Sequence, residues 1–206
     1  FVIFHDAELG RMTDLQGSLK QLGWERVKNA RVRGQEPILT LVELLAMIPP
    51  GRLLNLELKS DTVSKPDLPE ILEVLQGMRG PSTTMISSFD HELLPAFREA
   101  GYETGALIGD AHAKRGLAHL VLDLARIRPR FVNAPVQTFE RLGAFKAALF
   151  FRALKAAGLK LAFWTINTDA DFEKVRPYAD AVIGDDVERA LRWLGRDPLV
   201  ELAPAR

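Results

Sequence analysis

The sequence predicts an α/β protein on a parallel sheet and, within that class, a TIM (β/α)8 barrel whose first two βα units are absent from these 206 residues. Three observations carry that expectation. Short apolar runs alternate with helical patterns from about residue 40 to 195. No Gly-rich phosphate loop follows any of these runs, which argues against a nucleotide-binding open sheet. Polar or charged residues recur at the carboxyl ends of the runs: Glu57 and Lys59, Ser87 and Ser88, Asn133, Thr165 and Asn167, Asp185. In barrels that face carries the active site.

Taken in order, the elements justify themselves from residue type and spacing. The chain opens on Phe1-Val2-Ile3-Phe4, read as a strand entered in mid-course, and His5-Asp6 follows it. Residues 10–37 contain Gly and lack a regular apolar pattern, so they are expected to form a long surface loop over a site. Thr40 can cap a helix carrying Leu41, Leu44, Leu45 and Ile48 on one stripe, and Pro49-Pro50 stops it. The expected strands are 53–58, 83–88, 104–108, 130–134, 161–166 and 180–184, each rich in Leu, Ile, Val or Phe. Between them, Leu68, Ile71, Leu72 and Leu75 mark one helix. Asp90 caps a second with Leu93, Leu94 and Phe97, and Leu117, Leu120, Val121 and Leu124 mark a third. Residues 139–157 read as one long apolar helix ending at Gly158. Thr168 or Asp169 caps the next, around Phe172 and Val175, and Asp186 begins the last, with Val187, Ala190, Leu191 and Leu194 inward. Residues 1–195 thus form one partial barrel domain, and the tail from Arg196, with Pro198 and Pro204, is expected to be poorly ordered.

Composition narrows the partners. Lys plus Arg number 27 and Asp plus Glu number 27, so there is no electrostatic footprint for nucleic acid or an anionic membrane. An acidic substrate must be held locally. The chain has no cysteine, which excludes disulfides, thiolate zinc sites and cysteine nucleophiles. No apolar run reaches the roughly 18 residues a membrane span needs. No signal peptide is visible, which says little for a chain that opens in mid-strand without an initiator Met; a cytoplasmic location is the expectation. His91, His112 and His119 lack the spacing of a local metal pair and read as surface or packing residues. Arg126, Arg128 and Arg130 read as a solvated connection, and the apolar stretch Phe145–Phe151 as a barrel helix whose excess apolar surface points to a homodimer contact.

Asn55-Leu56-Glu57-Leu58-Lys59 carries the chemistry. Side chains alternate along a strand, so Glu57 and Lys59 share one face and Leu56 and Leu58 the other. One reading is a carboxylate for a hard divalent cation beside an ammonium for a phosphoryl oxygen. The other is a plain Glu–Lys ion pair, and the residues alone leave both open. His5 at a strand end suits proton transfer near neutral pH, and a surface His hydrogen-bonded to Asp6 is its ordinary alternative.

Six landmarks then occur in order: His5-Asp6-x-x-Leu9-x-Arg11-x-Thr13, Pro37-x-Leu39-Thr40-Leu41-x-Glu43, Asn55-Leu56-Glu57-Leu58-Lys59, Ser87-Ser88-Phe89-Asp90, Trp164-Thr165-Ile166-Asn167 and Asp180-Ala181-Val182-Ile183-Gly184-Asp185. The series resembles the glycerophosphodiester phosphodiesterase family of TIM barrels over nearly all of residues 1–195. The resemblance implies that Glu57 ligates a divalent metal, Mg2+ or Ca2+, and that Lys59 approaches the phosphate. It also implies that His5 is one of two histidines sharing acid and base work, and that Trp164 lines the substrate pocket. The family's first strand ends in His-Arg-Gly and its second supplies a further Glu and Asp; neither is found here. Its usual Ile-Thr-Asp-x-Pro is Ile183-Gly184-Asp185-Asp186 in this chain.

Two functions follow as expectations. One is metal-dependent hydrolysis of glycerophosphodiesters to glycerol 3-phosphate and an alcohol, through histidine acid–base catalysis. The other is a catalytically inactive, truncated barrel serving as an interaction or binding module. A barrel phosphodiesterase for lipid or inositol-phosphate substrates is a weaker third, because no basic cluster beyond Lys59 is expected to line the pocket.

Overall fold

The computed structural model describes residues 1–49 and 51–201. The first quarter of the chain is more ordered than its sequence pattern indicates. Two short helices, α1 (Leu19–Leu22) and α2 (Trp24–Val27), precede a two-stranded antiparallel hairpin of β1 (Arg31–Val32) and β2 (Glu36–Pro37). Ser18 and Gln21 close a capping box around α1. Leu9, Val27, Ala30 and Ile38 are buried together as a small core of their own, so residues 10–37 are a folded excursion and not the plain loop expected. The apolar residues are too irregularly spaced for either period, and only their meeting in space gathers them. Phe1–Phe4 is likewise not a sheet strand: Val2 makes a lone antiparallel bridge to Thr40, and Ile3 N–H donates to Leu39 O at 2.8 Å.

From Thr40 onward the expectation and the fold run together. Helix α3 (Leu41–Met47) starts at a capping box in which Thr40 Oγ1 accepts from Glu43 N–H and Glu43 reaches back to Thr40 N–H. Six parallel strands follow: β3 (Leu54–Leu58), β4 (Thr84–Ser88), β5 (Glu103–Leu107), β6 (Phe131–Pro135), β7 (Lys160–Trp164) and β8 (Ala181–Val182). Their order in the sheet is their order in the chain, with every pair parallel. A doubly wound sheet reverses order at a switch point, whereas a barrel never does. The sequential, curled arrangement is therefore the barrel type. Among the described residues, β3 and β8 each pair on one side only.

Helices cover one face. They are α4 (Leu68–Met78), α5 (Leu94–Glu99), α6 (Asp110–Arg115), α7 (Leu117–Ile127), α8 (Thr138–Leu142), α9 (Ala144–Ala156), α10 (Asp169–Val175), α11 (Val187–Trp193) and α12 (Pro198–Glu201). Leu58, Ile86, Val132, Leu161 and Phe163 point from the strands into the helices, joining Ile71, Phe97, Ile127, Phe151 and Val175 in one continuous core. The long helix expected over 139–157 is broken at Gly143, whose φ of +76° favours glycine and ends α8 before α9 begins. Thr168, not Asp169, is the cap of α10. The start of the tail is helical, tied by Arg196 Nη2 to Glu201 Oε2 at 2.7 Å, while Pro204 lies outside the described residues. Arg126 and Arg130 pair with Glu92 and Glu103, as a solvated connection would. Among the described residues no helix is long and apolar enough to cross a membrane.

Candidate active site

Register decides which side chains meet on the concave face. Glu57 lies opposite Ser87, Ser87 opposite Gly105, Leu107 opposite Asn133, and Pro135 opposite Trp164. Since alternate residues of each strand share a face, this row turns away from the helices. Ser87 Oγ donates to Asn55 Oδ1 at 2.9 Å, tying the lower part of the row. Asn133 is fully buried there, and both its Nδ2 and Oδ1 lack a partner among the described residues. It lies against Gly105, where an added Cβ would come within 3.0 Å of the amide.

Above this row a cavity of about 620 Å³ runs along the free edge of β3. The segment up to and including α1, and β3 with the turn after it, supply polar groups: His5, Asp6, Arg11, Lys20, Asn55, Glu57, Lys59 and Asp61. Leu54, Leu56 and Ile71 form part of its apolar wall. Three of the four singled-out site residues, His5, Glu57 and Lys59, thus line one cavity although 52 residues separate His5 from Glu57 (57 − 5). Trp164 is not among the side chains lining it. Its indole N–H donates to Asn133 O at 3.1 Å, and its ring meets Phe89 edge to face at 5.8 Å.

Glu57 and Lys59 are half-buried and joined, Nζ to Oε1, at 2.7 Å. The ordinary alternative is therefore what this structure contains: an ion pair. His5 also matches its ordinary alternative, an exposed ring with Nδ1 2.7 Å from Asp6 Oδ1. Asp6 in turn accepts from Arg11 Nε at 2.5 Å and Nη2 at 2.9 Å. Those hydrogen bonds, the Arg11 pair first and His5 second, hold the Asp6 carboxyl well below the usual carboxylate range. An ionised Asp6 orients the imidazole through Nδ1 and leaves Nε2 as the nitrogen facing outward. Arg11 and Lys20 correct one expectation, since Lys59 is not the lone cation of the pocket. Arg11 sat within a quoted landmark, but nothing in its spacing revealed the bond to Asp6.

The donor set does not by itself fit a magnesium or calcium ion. Such an ion takes about six or more oxygens, usually from more than one protein anion. Among the described residues no three His, Cys, Asp or Glu side chains converge on a metal-sized site. Glu57 is engaged by Lys59, and Asp6 by Arg11 and His5.

At the far side of the strand ends, Asn167 and Asp185 exchange bonds: Nδ2 to Oδ2 at 2.7 Å, and Asp185 N–H to Asn167 Oδ1 at 2.9 Å. Gly184, two residues after β8, explains the departure from the Ile-Thr-Asp pattern, because a Cβ there would sit 2.2 Å from Ile166 O. Sequence reasoning also separated two histidines that the fold joins. His91 is buried and its ring stacks on His112 at 4.3 Å between centroids, with planes 19° apart.

A curled parallel sheet with helices on its outside and titratable side chains at its strands' carboxyl ends defines the class, a TIM-like α/β barrel. The profile of the glycerophosphoryl diester phosphodiesterase family matches residues 1–189, and the chain belongs to that family. It is 26% identical over 180 residues to a probable glycerophosphodiester phosphodiesterase 2 of Mycobacterium tuberculosis, covering 81% of this chain and 63% of that protein. The chain thus spans somewhat under two thirds of that curated relative. A phosphodiesterase of Oleispira antarctica, solved with the product sn-glycerol-3-phosphate, superposes with a TM-score of 0.76 at 24% identity, over 94% of this chain and 79% of that one. A glycerophosphodiester phosphodiesterase of Thermotoga maritima gives 0.71 at 23% identity, over 93% and 78%. At such identities these two likenesses speak to the fold.

Proposed function

We propose that the protein hydrolyses glycerophosphodiesters, releasing glycerol 3-phosphate and an alcohol. The observation that carries the reading is the meeting of His5, Glu57 and Lys59 around one cavity in a chain of this family. In the ground state Lys59 neutralises Glu57; on arrival of a phosphodiester its ammonium, just past the end of β3, is the cation assigned to a non-bridging phosphoryl oxygen. His5, held through Nδ1 by Asp6, works with Nε2. Nε2 serves one of the two proton transfers, either taking the proton of the attacking oxygen as the new P–O bond forms or protonating the departing alkoxide as the P–O bond to it breaks, and the family resemblance gives the other transfer to a second histidine. The attacking oxygen is a water, giving glycerol 3-phosphate directly, or the neighbouring glycerol hydroxyl, giving a cyclic phosphate that a water then opens.

The family resemblance implies a divalent cation, Mg2+ or Ca2+, with Glu57 as a ligand, but the donors among the described residues do not complete such a site, so no step here runs through it. Trp164, with Phe89 against it, forms an aromatic wall at the opposite strand ends and is assigned to the substrate's alcohol.

Turnover of glycerophosphocholine and related diesters, followed as glycerol 3-phosphate released with and without a chelator, tests the proposal. Hydrolysis that Glu57→Gln abolishes, with the fold unchanged, is the expected result, and the response to the chelator decides whether a cation takes part. Full activity in Glu57→Gln overturns the role of Glu57, and no hydrolysis of any glycerophosphodiester overturns the activity itself.

A further inference from the structure

The stacked histidines lie under the aromatic wall, and their hydrogen bonds leave little choice of protonation. His91 follows β4 and His112 is in α6, just after β5. His91 Nε2 is 3.0 Å from Leu107 O, an acceptor only, so Nε2 carries the proton and donates. Its Nδ1 is then a bare lone pair, buried and without a partner among the described residues. His112 Nδ1 accepts from Gly109 N–H at 3.2 Å, so that nitrogen carries no proton. Gly109 in turn lies against Phe89, where an added Cβ would be 2.9 Å from the ring. Phe89 is the partner of Trp164. A continuous series of contacts runs from the histidine stack through Gly109 and Phe89 to Trp164.

We propose that His91 and His112 are positioning residues for the Phe89–Trp164 wall, and that protonation of His112 releases it. A proton on Nδ1 would set donor against donor at Gly109, removing the bond that fixes the start of α6. It would also place a charge 4.3 Å from a buried neutral ring. Burial lowers both histidines below their ordinary value of 6.5, and His91 beside it lowers His112 further. The charges facing the pair are Asp90 on the turn of His91, Asp123 of α7 and Arg115 of α6. Asp123 favours the proton and Arg115 opposes it, and these two lie 3.4 Å apart as an ion pair. With both pKa values lowered in the fold, the histidines' contribution to stability is complete above about pH 6.5 and is lost as pH falls through the folded values.

The test is the Trp164 indole N–H resonance of the whole protein, assigned with Trp164→Phe and followed from about pH 8 to 5 around the ordinary histidine range. The indole signal is expected to move with one midpoint below 6.5. His112→Asn keeps an acceptor for Gly109 N–H without a titrating ring and is expected to abolish the movement, whereas His119→Asn leaves it in place. A second arm rests on the phosphodiesterase reading: KM for glycerophosphocholine rises by up to about tenfold per pH unit below the midpoint in the wild type and not in His112→Asn. A stationary indole signal in the wild type overturns the proposal without any variant, and so does an unchanged titration in His112→Asn. Absence of hydrolysis would overturn the activity and leave the indole titration to decide this inference.

Discussion

The two faces of the same six strands are built from opposite chemistry. On the helix side, Leu58, Ile86, Val132, Leu161 and Phe163 are nearly or fully buried among aliphatic and aromatic neighbours. On the concave side, the alternating positions are Glu57, Lys59, Ser87, Asn133 and Trp164, and the amide of Asn133 has no protein partner among the described residues. The period of two along each strand makes this division possible, because one residue commits to the core and its neighbour is free to be polar. The outer face supplies stability, and the inner face tolerates groups that cost stability because chemistry needs them there.

Substitutions on the two faces should therefore fail in different ways. The largest effect expected on the reactive side is His5→Ala, which lowers kcat by about 10²–10⁴ with little change in KM. A pure KM defect would show that His5 binds but does not move protons. On the core side, Phe163→Ala should destabilise by about 3–5 kcal/mol, measured by urea unfolding, because the ring is fully buried against Phe139 and Phe151. A much smaller loss would mean that the outer face is not the source of stability. Thr40→Ala removes one half of the capping box of α3 and should cost about 1 kcal/mol. Asn133→Ala is the finest probe, since deleting an unpartnered buried amide offsets the cavity it leaves. The expected change is within about 1 kcal/mol. A loss like that of Phe163→Ala would erase the contrast between the faces.

Strand and helix positions were legible where period and punctuation agree. Apolar runs bounded by Gly or Pro marked β3 to β7 to within two residues, and Thr40, Thr168 and Asp186 capped the helices they were expected to begin. The excursion at residues 10–37 was not legible, because a core of Leu9, Val27, Ala30 and Ile38 has no period to read. Lys59 and Glu57 were placed on one face correctly, yet alternation alone leaves the choice between open ligand and ion pair undecided; the 2.7 Å contact is a distance, not a pattern. His91 and His112 were read as unrelated because 21 residues separate them (112 − 91), and the stacking depends on two neighbouring strands.

By itself, the order of residues determined the class of fold, the alternation of the strands, the helix caps and the identity of the groups available for chemistry, since all of these are local and repeat with a short period. Only the tertiary structure decided which groups meet: His5 with Asp6 and Arg11 at the rim of the cavity of Glu57, and one imidazole stacked on another beneath Trp164's neighbour Phe89. Contacts of that kind are set by strand register and by the curl of the sheet, which sum over many residues and leave no signature in any single stretch of chain.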